Sequence, residues 1–168
     1  MPQRRFLQKI IINNLKEFLI KIGIPTSKEA SEFLNINYST YRSWMALERE
    51  PSLRTLDNIC DKLQIPTYVL FMNEKCIDYK GYHVADIKND SRMILVENLK
   101  RVYADKGKQS WHEKESLFYG LLSQETLKSY QRNKEYICPT IQTIEGMCSY
   151  LGIPAYKLLS GGSYESEN

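Results

Sequence analysis

The chain carries most of its own pattern twice. Residues 14–71 reappear, diverged, between 98 and 159. The clearest echo sets Cys60-Asp-Lys-Leu-Gln-Ile-Pro-Thr-Tyr-Val-Leu-Phe71 against Cys148-Ser-Tyr-Leu-Gly-Ile-Pro-Ala-Tyr-Lys-Leu-Leu159. Upstream, Pro51-Ser-Leu-Arg-Thr-Leu-Asp57 matches Pro139-Thr-Ile-Gln-Thr-Ile-Glu145, and Asn14-Leu15-Lys16 pairs with Asn98-Leu99-Lys100. A repeat of this length is a whole small domain rather than one turn of a solenoid, so whatever surface the unit builds is presented twice. The organisation this predicts is an N-terminal unit over residues 1–72, a linker over 73–92, a C-terminal unit over 93–160 and a flexible tail over 161–168.

Hydrophobic spacing in each unit has the helical period. Leu15, Phe18, Leu19 and Ile22 fall at i, i+3, i+4 and i+7, and Gly23 ends that helix. Thr26 followed by Glu29 is a capping box, in which each side chain satisfies the other's free backbone N–H, so a second helix starts there. That helix carries Ala30, Phe33 and Leu34 and stops near Asn35, a residue that tolerates the left-handed conformation of a tight turn. Asn37 then caps a third helix running through Leu47. Pro51-Ser52 opens a fourth, with Leu53, Leu56, Cys60 and Leu63 inward, and Pro66 starts a short fifth.

The second unit repeats this plan, with Leu99, Val102 and Tyr103 on its first helix and Ser110 with Glu113 as its capping box. The offset between copies grows from 84 at the capping box to 86 at Trp44 and Tyr130, and to 88 at Pro51 and Pro139. Two short insertions therefore sit in turns of the second copy, one near Gly120 and one in the 133–138 loop. Between the units, Ile77, Tyr79, Tyr82 and Val84 alternate about Lys80-Gly81, which allows a short hairpin, but a plain linker is the preferred reading. The fold class expected is all-α.

Composition narrows function without fixing it. The formal charge is +3, spread as ten basic against seven acidic residues over 1–72 and nine against seven over 93–159. That mild, doubled positive balance permits a nucleic-acid partner. Two histidines and no Cys-x-x-Cys pair leave no expected metal site or cofactor, and the four cysteines read as buried reduced thiols. No nucleophile–base pair, Gly-rich phosphate loop or carboxylate dyad is visible, so an enzyme is not expected. With no secretory leader and no apolar run of membrane length, the expectation is a cytoplasmic protein with no membrane contact.

Two helices joined by a tight turn, the second projecting a short polar face, is the helix-turn-helix arrangement. Over Thr26-Ser-Lys-Glu-Ala-Ser-Glu-Phe-Leu-Asn-Ile-Asn-Tyr-Ser-Thr-Tyr-Arg-Ser-Trp44, Pro51-Ser52 and Leu63-Gln-Ile-Pro-Thr-Tyr-Val-Leu70, the chain resembles the lambda-repressor-like (XRE-type) family of five-helix DNA-binding domains. The resemblance covers nearly all of both units. Asn35 stands where that family usually has a turn glycine. The resemblance implies two helix-turn-helix domains on double-stranded DNA, a bacterial or phage transcriptional regulator, and repression by covering a promoter.

Spacing on the third helix gives an independent reading of the same face. Tyr41, Trp44 and Leu47 point inward, leaving Tyr38, Ser39, Arg42 and Ser43 outward, beside Asn37. Arg42 can fork onto guanine O6 and N7, and Tyr38 or Ser39 can meet phosphates or base edges. The equivalent residues of the second unit are Gln124, Glu125, Lys128 and Ser129, with Leu127 and Tyr130 inward. Gln suits adenine and Glu accepts from cytosine N4. At the second helices, Ser27 and Lys28, and Lys114 in the other copy, stand where a helix N-terminus meets phosphate. Arg4, Arg5 and Lys9 form a basic arm for phosphates or a minor groove. The duplication supplies both readers in one chain and allows an asymmetric operator; alternatively one copy serves as a platform for a homodimer. The rival reading keeps the fold and changes the role, to a protein-interaction module such as an antitoxin or an inhibitor of a nuclease.

Overall fold

The computed structural model describes residues 5–132 and 137–161, and among them all regular structure is helical. The elements run α1 (Phe6–Lys21), α2 (Ser27–Leu34), α3 (Tyr38–Met45), α4 (Leu53–Leu63), a 3-10 helix (Thr67–Phe71), a 3-10 turn (Glu74–Cys76), α5 (Ser91–Asp105), α6 (Trp111–Ser116), α7 (Gln124–Gln131), α8 (Ile141–Leu151) and α9 (Ala155–Leu158). None is long and apolar enough to cross a membrane.

Local chemistry sets the boundaries. Thr26 accepts from the Glu29 N–H at 3.2 Å while the Glu29 carboxylate accepts from the Thr26 N–H, and Ser110 and Glu113 do the same at the start of α6. Asn35 ends α2 in the left-handed region (φ 54°), and Asn37 accepts from Ser39 to start α3. The third helix stops at Met45, two residues short of the expected Leu47, which itself takes φ 59°. At the end of the fourth helix the repeat places Gln64 (φ 55°) opposite Gly152 (φ 66°). Both take the left-handed turn; only the second copy does so with a residue free of Cβ strain.

Each unit ties its fifth element to its first helix through one asparagine. The Asn14 amide donates to the carbonyls of Leu70 (2.9 Å) and Met72 (2.8 Å). Asn98, its repeat partner, donates to Leu158 (2.8 Å) and Ser160 (3.1 Å). One carbonyl in the last helical element of each unit is buried and the other, just past it, partly so; the Asn amide satisfies both, which explains why Asn occupies both positions.

The core is continuous across the repeat. Ile11, Ile12 and Leu15 of α1, Leu53 and Leu56 of α4, Leu95 of α5 and Ile141 and Ile144 of α8 are all fully buried in one cluster. The first helix of each copy packs on the fourth helix of the other: α1 on α8, and α5 on α4. The fifth elements, Thr67–Phe71 and α9, pack on each other. Carboxylates close both seams. Asp57 Oδ2 accepts from the backbone N–H of Ser91 at 2.9 Å, and Asp57 Oδ1 accepts from the Ser91 and Thr67 hydroxyls. Glu145 Oε1 accepts from the backbone N–H of Leu7 at 3.2 Å. Leu7 and Ser91 are repeat partners, as are Asp57 and Glu145, so each acid caps the opposite copy's first helix.

Between the units, residues 77–90 form turns and irregular chain, the linker reading and not the short hairpin that the alternation about Lys80-Gly81 allowed. Its aromatic side chains pack instead of pairing in strands, Tyr79 edge-on to Phe18 (4.7 Å) and Tyr82 to Tyr68 (6.5 Å). The connection is pinned further by the Val84 N–H on the Gln64 carbonyl (2.7 Å) and by Asn89, which bonds Asp61, the Ile65 carbonyl and the Thr67 N–H. Phe33 points outward, 40% exposed. All four cysteines are free thiols, but only Cys60 is fully buried and Cys76 is exposed. Burial pushes the Cys60 thiol up, and that of Cys148 up to about 12, which lowers the thiolate fraction of each. The second insertion, in the 133–138 loop, and the tail lie largely outside the described residues.

Candidate nucleic-acid interface

The first copy presents the outward face that spacing predicts. Tyr41 and Trp44 are buried, which fixes the roll of α3 and turns Tyr38, Ser39 and Arg42 to solvent, with Ser43 half-buried beside them. Arg42 Nη1 donates to the Tyr38 hydroxyl oxygen (3.2 Å), and its guanidinium lies 5.9 Å from the Tyr38 ring centre. Among the described residues no carboxylate lies within ion-pair distance of Arg42. Asn37 is occupied in capping, its oxygen accepting from both the N–H and hydroxyl of Ser39. Ser43 donates its hydroxyl to the Ser39 carbonyl (3.0 Å). Lys28 and Asn37 flank a shallow concavity between α2 and α3 that Tyr38 closes. Ser27 is half-buried at the first position of α2.

The second copy brings the predicted residues to one surface and then pairs them internally. Glu125 lies 3.5 Å from Lys128 and 3.8 Å from Arg132. Gln124 donates to Glu115 at 2.9 Å, and Ser129 donates to the Thr126 carbonyl. The Lys114 ammonium stands 4.4 Å from the Trp111 ring centre and 5.2 Å from that of Tyr103, while Lys128 approaches Trp111 at 5.8 Å. Such cation–π placements hold a lysine against its own domain. The exposed ion pairs are weak, about 0–1 kcal/mol each, yet Glu125 offsets one of the two positive charges a phosphate would meet. Spacing alone missed Trp111 and Glu115, because both reach α7 from α6, and Arg132, which lies at the C-cap of α7 itself.

The turn before α7 also differs from its counterpart. Only 35–37 separate α2 from α3, whereas 117–123 separate α6 from α7. Helix α6 stops at Ser116, and fully buried Phe118 drops into the core two residues later. Tyr119 (φ 45°) and Gly120 (φ 84°) then reverse the chain, leaving Tyr119 80% exposed beside the Tyr150 ring (5.6 Å). Leu121 lies so close over Gly146 that a Cβ there would meet it at 2.6 Å.

Arg5 and Lys9 are exposed at the start of α1 and line a concavity against α8 together with Leu47, Leu121 and Glu145. Burial raises the Glu50 carboxyl, with Arg5 working in the opposite direction. Arg4 lies outside the described residues. Among the described residues no cluster of His, Cys, Asp and Glu could hold a metal ion. No protein-family model matches the chain, and no curated protein or solved structure matches it.

Proposed function

We propose that this chain is a sequence-specific double-stranded DNA-binding protein, a bacterial or phage transcriptional regulator built from two lambda-repressor-like helix-turn-helix domains. The observation that carries the reading is the outward face of α3. A guanidinium with no carboxylate neighbour among the described residues, flanked by small hydroxyls and a phenol, sits on a short helix whose roll is fixed by buried Tyr41 and Trp44. That is the chemistry for reading a guanine edge in a major groove while hydroxyls meet the backbone. Lys28, at the adjoining helix start, supplies a phosphate contact. The role is one of binding, and repression follows from covering a promoter.

Selection from a random duplex pool tests this. A DNA reader enriches a defined sequence containing guanine under α3, and its affinity falls steeply with salt. A pool that returns unenriched contradicts the reading.

The internal pairing of Glu125 with Lys128 and Arg132 supports a second reading for the other copy. A face that offsets part of its own charge suits a protein partner better than phosphate, as in an antitoxin or a nuclease inhibitor. Extended to the whole chain, as an interaction module on the same fold, that alternative predicts that duplex DNA is not retained and that Arg42→Ala leaves partner binding unchanged.

A further inference from the structure

We infer that one chain is an internal dimer that occupies an asymmetric operator alone, α3 reading one half-site and α7 the other, in a complex of one chain per duplex. This rests on the DNA-binding reading above. In a two-fold dimer every interface contact occurs twice, with the partners exchanged. Here that duplication is found within one polypeptide. Asp57 caps Ser91 and Glu145 caps Leu7; α1 packs on α8 and α5 on α4; the fifth elements meet each other. Both carboxylates are engaged at the seam, and the apolar faces of α1 and α5 lie in the shared core rather than open to another copy.

The repeat relates α3 to α7, so a duplex dyad placed on the pseudo-two-fold sets the two helices at corresponding positions in its two halves. The sequences on the two helices differ, so a palindrome could match at most one of them. Arg42 has no carboxylate beside it among the described residues, while Glu125 holds Lys128 and Arg132. The half under α3 therefore carries the stronger base preference, and the half under α7 the weaker one.

Duplexes enriched from a random pool, followed by native mass spectrometry of the full chain with the enriched duplex, test the inference. The expected result is a motif without dyad symmetry, a mass of one chain per duplex, and a footprint covering both halves. Arg42→Ala should weaken binding about ten- to a hundredfold and erase preference in the strong half only. Lys128→Ala should alter protection only in the weak half. A palindromic motif with two chains per duplex overturns the internal dimer while leaving DNA binding standing. Protection confined to the half under α3 also overturns it. No enrichment at all removes the DNA-binding reading itself.

Discussion

Asp57 holds the first backbone N–H of α5, at Ser91, from the opposite repeat at 2.9 Å. It also accepts from the Ser91 and Thr67 hydroxyls, so one carboxylate gathers three donors at a buried seam. Removing it strands the Ser91 N–H. Asp57→Ala is expected to lower stability by about 1–3 kcal/mol, and Glu145→Ala, which releases only the Leu7 N–H, by about 0.5–1.5 kcal/mol. Urea unfolding at neutral pH measures both; equal losses, or none, would contradict the seam described.

The same residue gives stability a pH dependence. Burial pushes the Asp57 carboxyl above its ordinary value, against the downward pull of the Ser91 and Thr67 bonds, with Asp90 adding a smaller upward push. The folded protein then binds this proton more tightly than the unfolded chain. Asp57's contribution therefore falls as pH rises from the ordinary carboxylate value through the raised one, and the penalty is complete above that. Wild type minus Asp57→Asn, measured across mildly acidic pH, should show this downward slope. A difference that is flat or rises with pH would refute it.

Asn14 and Asn98 offer a matched pair. Each donates to two carbonyls at the end of the last helical element of its own unit. Asn14→Ala and Asn98→Ala are each expected to cost about 1–3 kcal/mol by leaving buried carbonyls unpaired. Thermal unfolding reads the loss, and a neutral substitution at either position would count against the equivalence.

Trp44→Ala removes a side chain that is only 5% exposed, at an expected cost of about 3–5 kcal/mol. Because the core runs unbroken through both repeats, the loss should lower one cooperative transition for the whole chain. Calorimetry showing the first repeat melting alone, with the second intact, would disprove the shared core.

Much of this was legible in the sequence. Both capping boxes, the left-handed Asn35, the inward Tyr41 and Trp44 and the outward Arg42 all follow from spacing, because helical period and caps are set by neighbours along the chain. The seam was not. Asp57 and Glu145 were visible as matched acids, yet each acts on a helix start 34 or 138 residues away, and nothing local says which. The same holds for Glu115 against Gln124 and Trp111 beneath two lysines: partners brought by packing leave no period to read. In the linker, alternating Ile77, Tyr79, Tyr82 and Val84 would suit a strand pair, but Phe18 and Tyr68 offer the tyrosines better burial than a lone hairpin could.

Glu125 provides a charge test on the second repeat. Glu125→Gln releases Lys128 and Arg132 from their shared carboxylate. Affinity for duplex DNA of any sequence should rise and its salt slope steepen, by about one further phosphate contact. Anisotropy titrations at several salt concentrations measure this; an unchanged slope would place α7 away from the duplex.

The most direct measurement is the affinity of wild type and Arg42→Ala for the enriched duplex at one fixed salt concentration. With α3 in the major groove and Arg42 on a guanine, the substitution should weaken binding by about 1–3 kcal/mol and remove preference at that base pair alone. Equal affinity and unchanged base preference would mean that α3 does not read DNA.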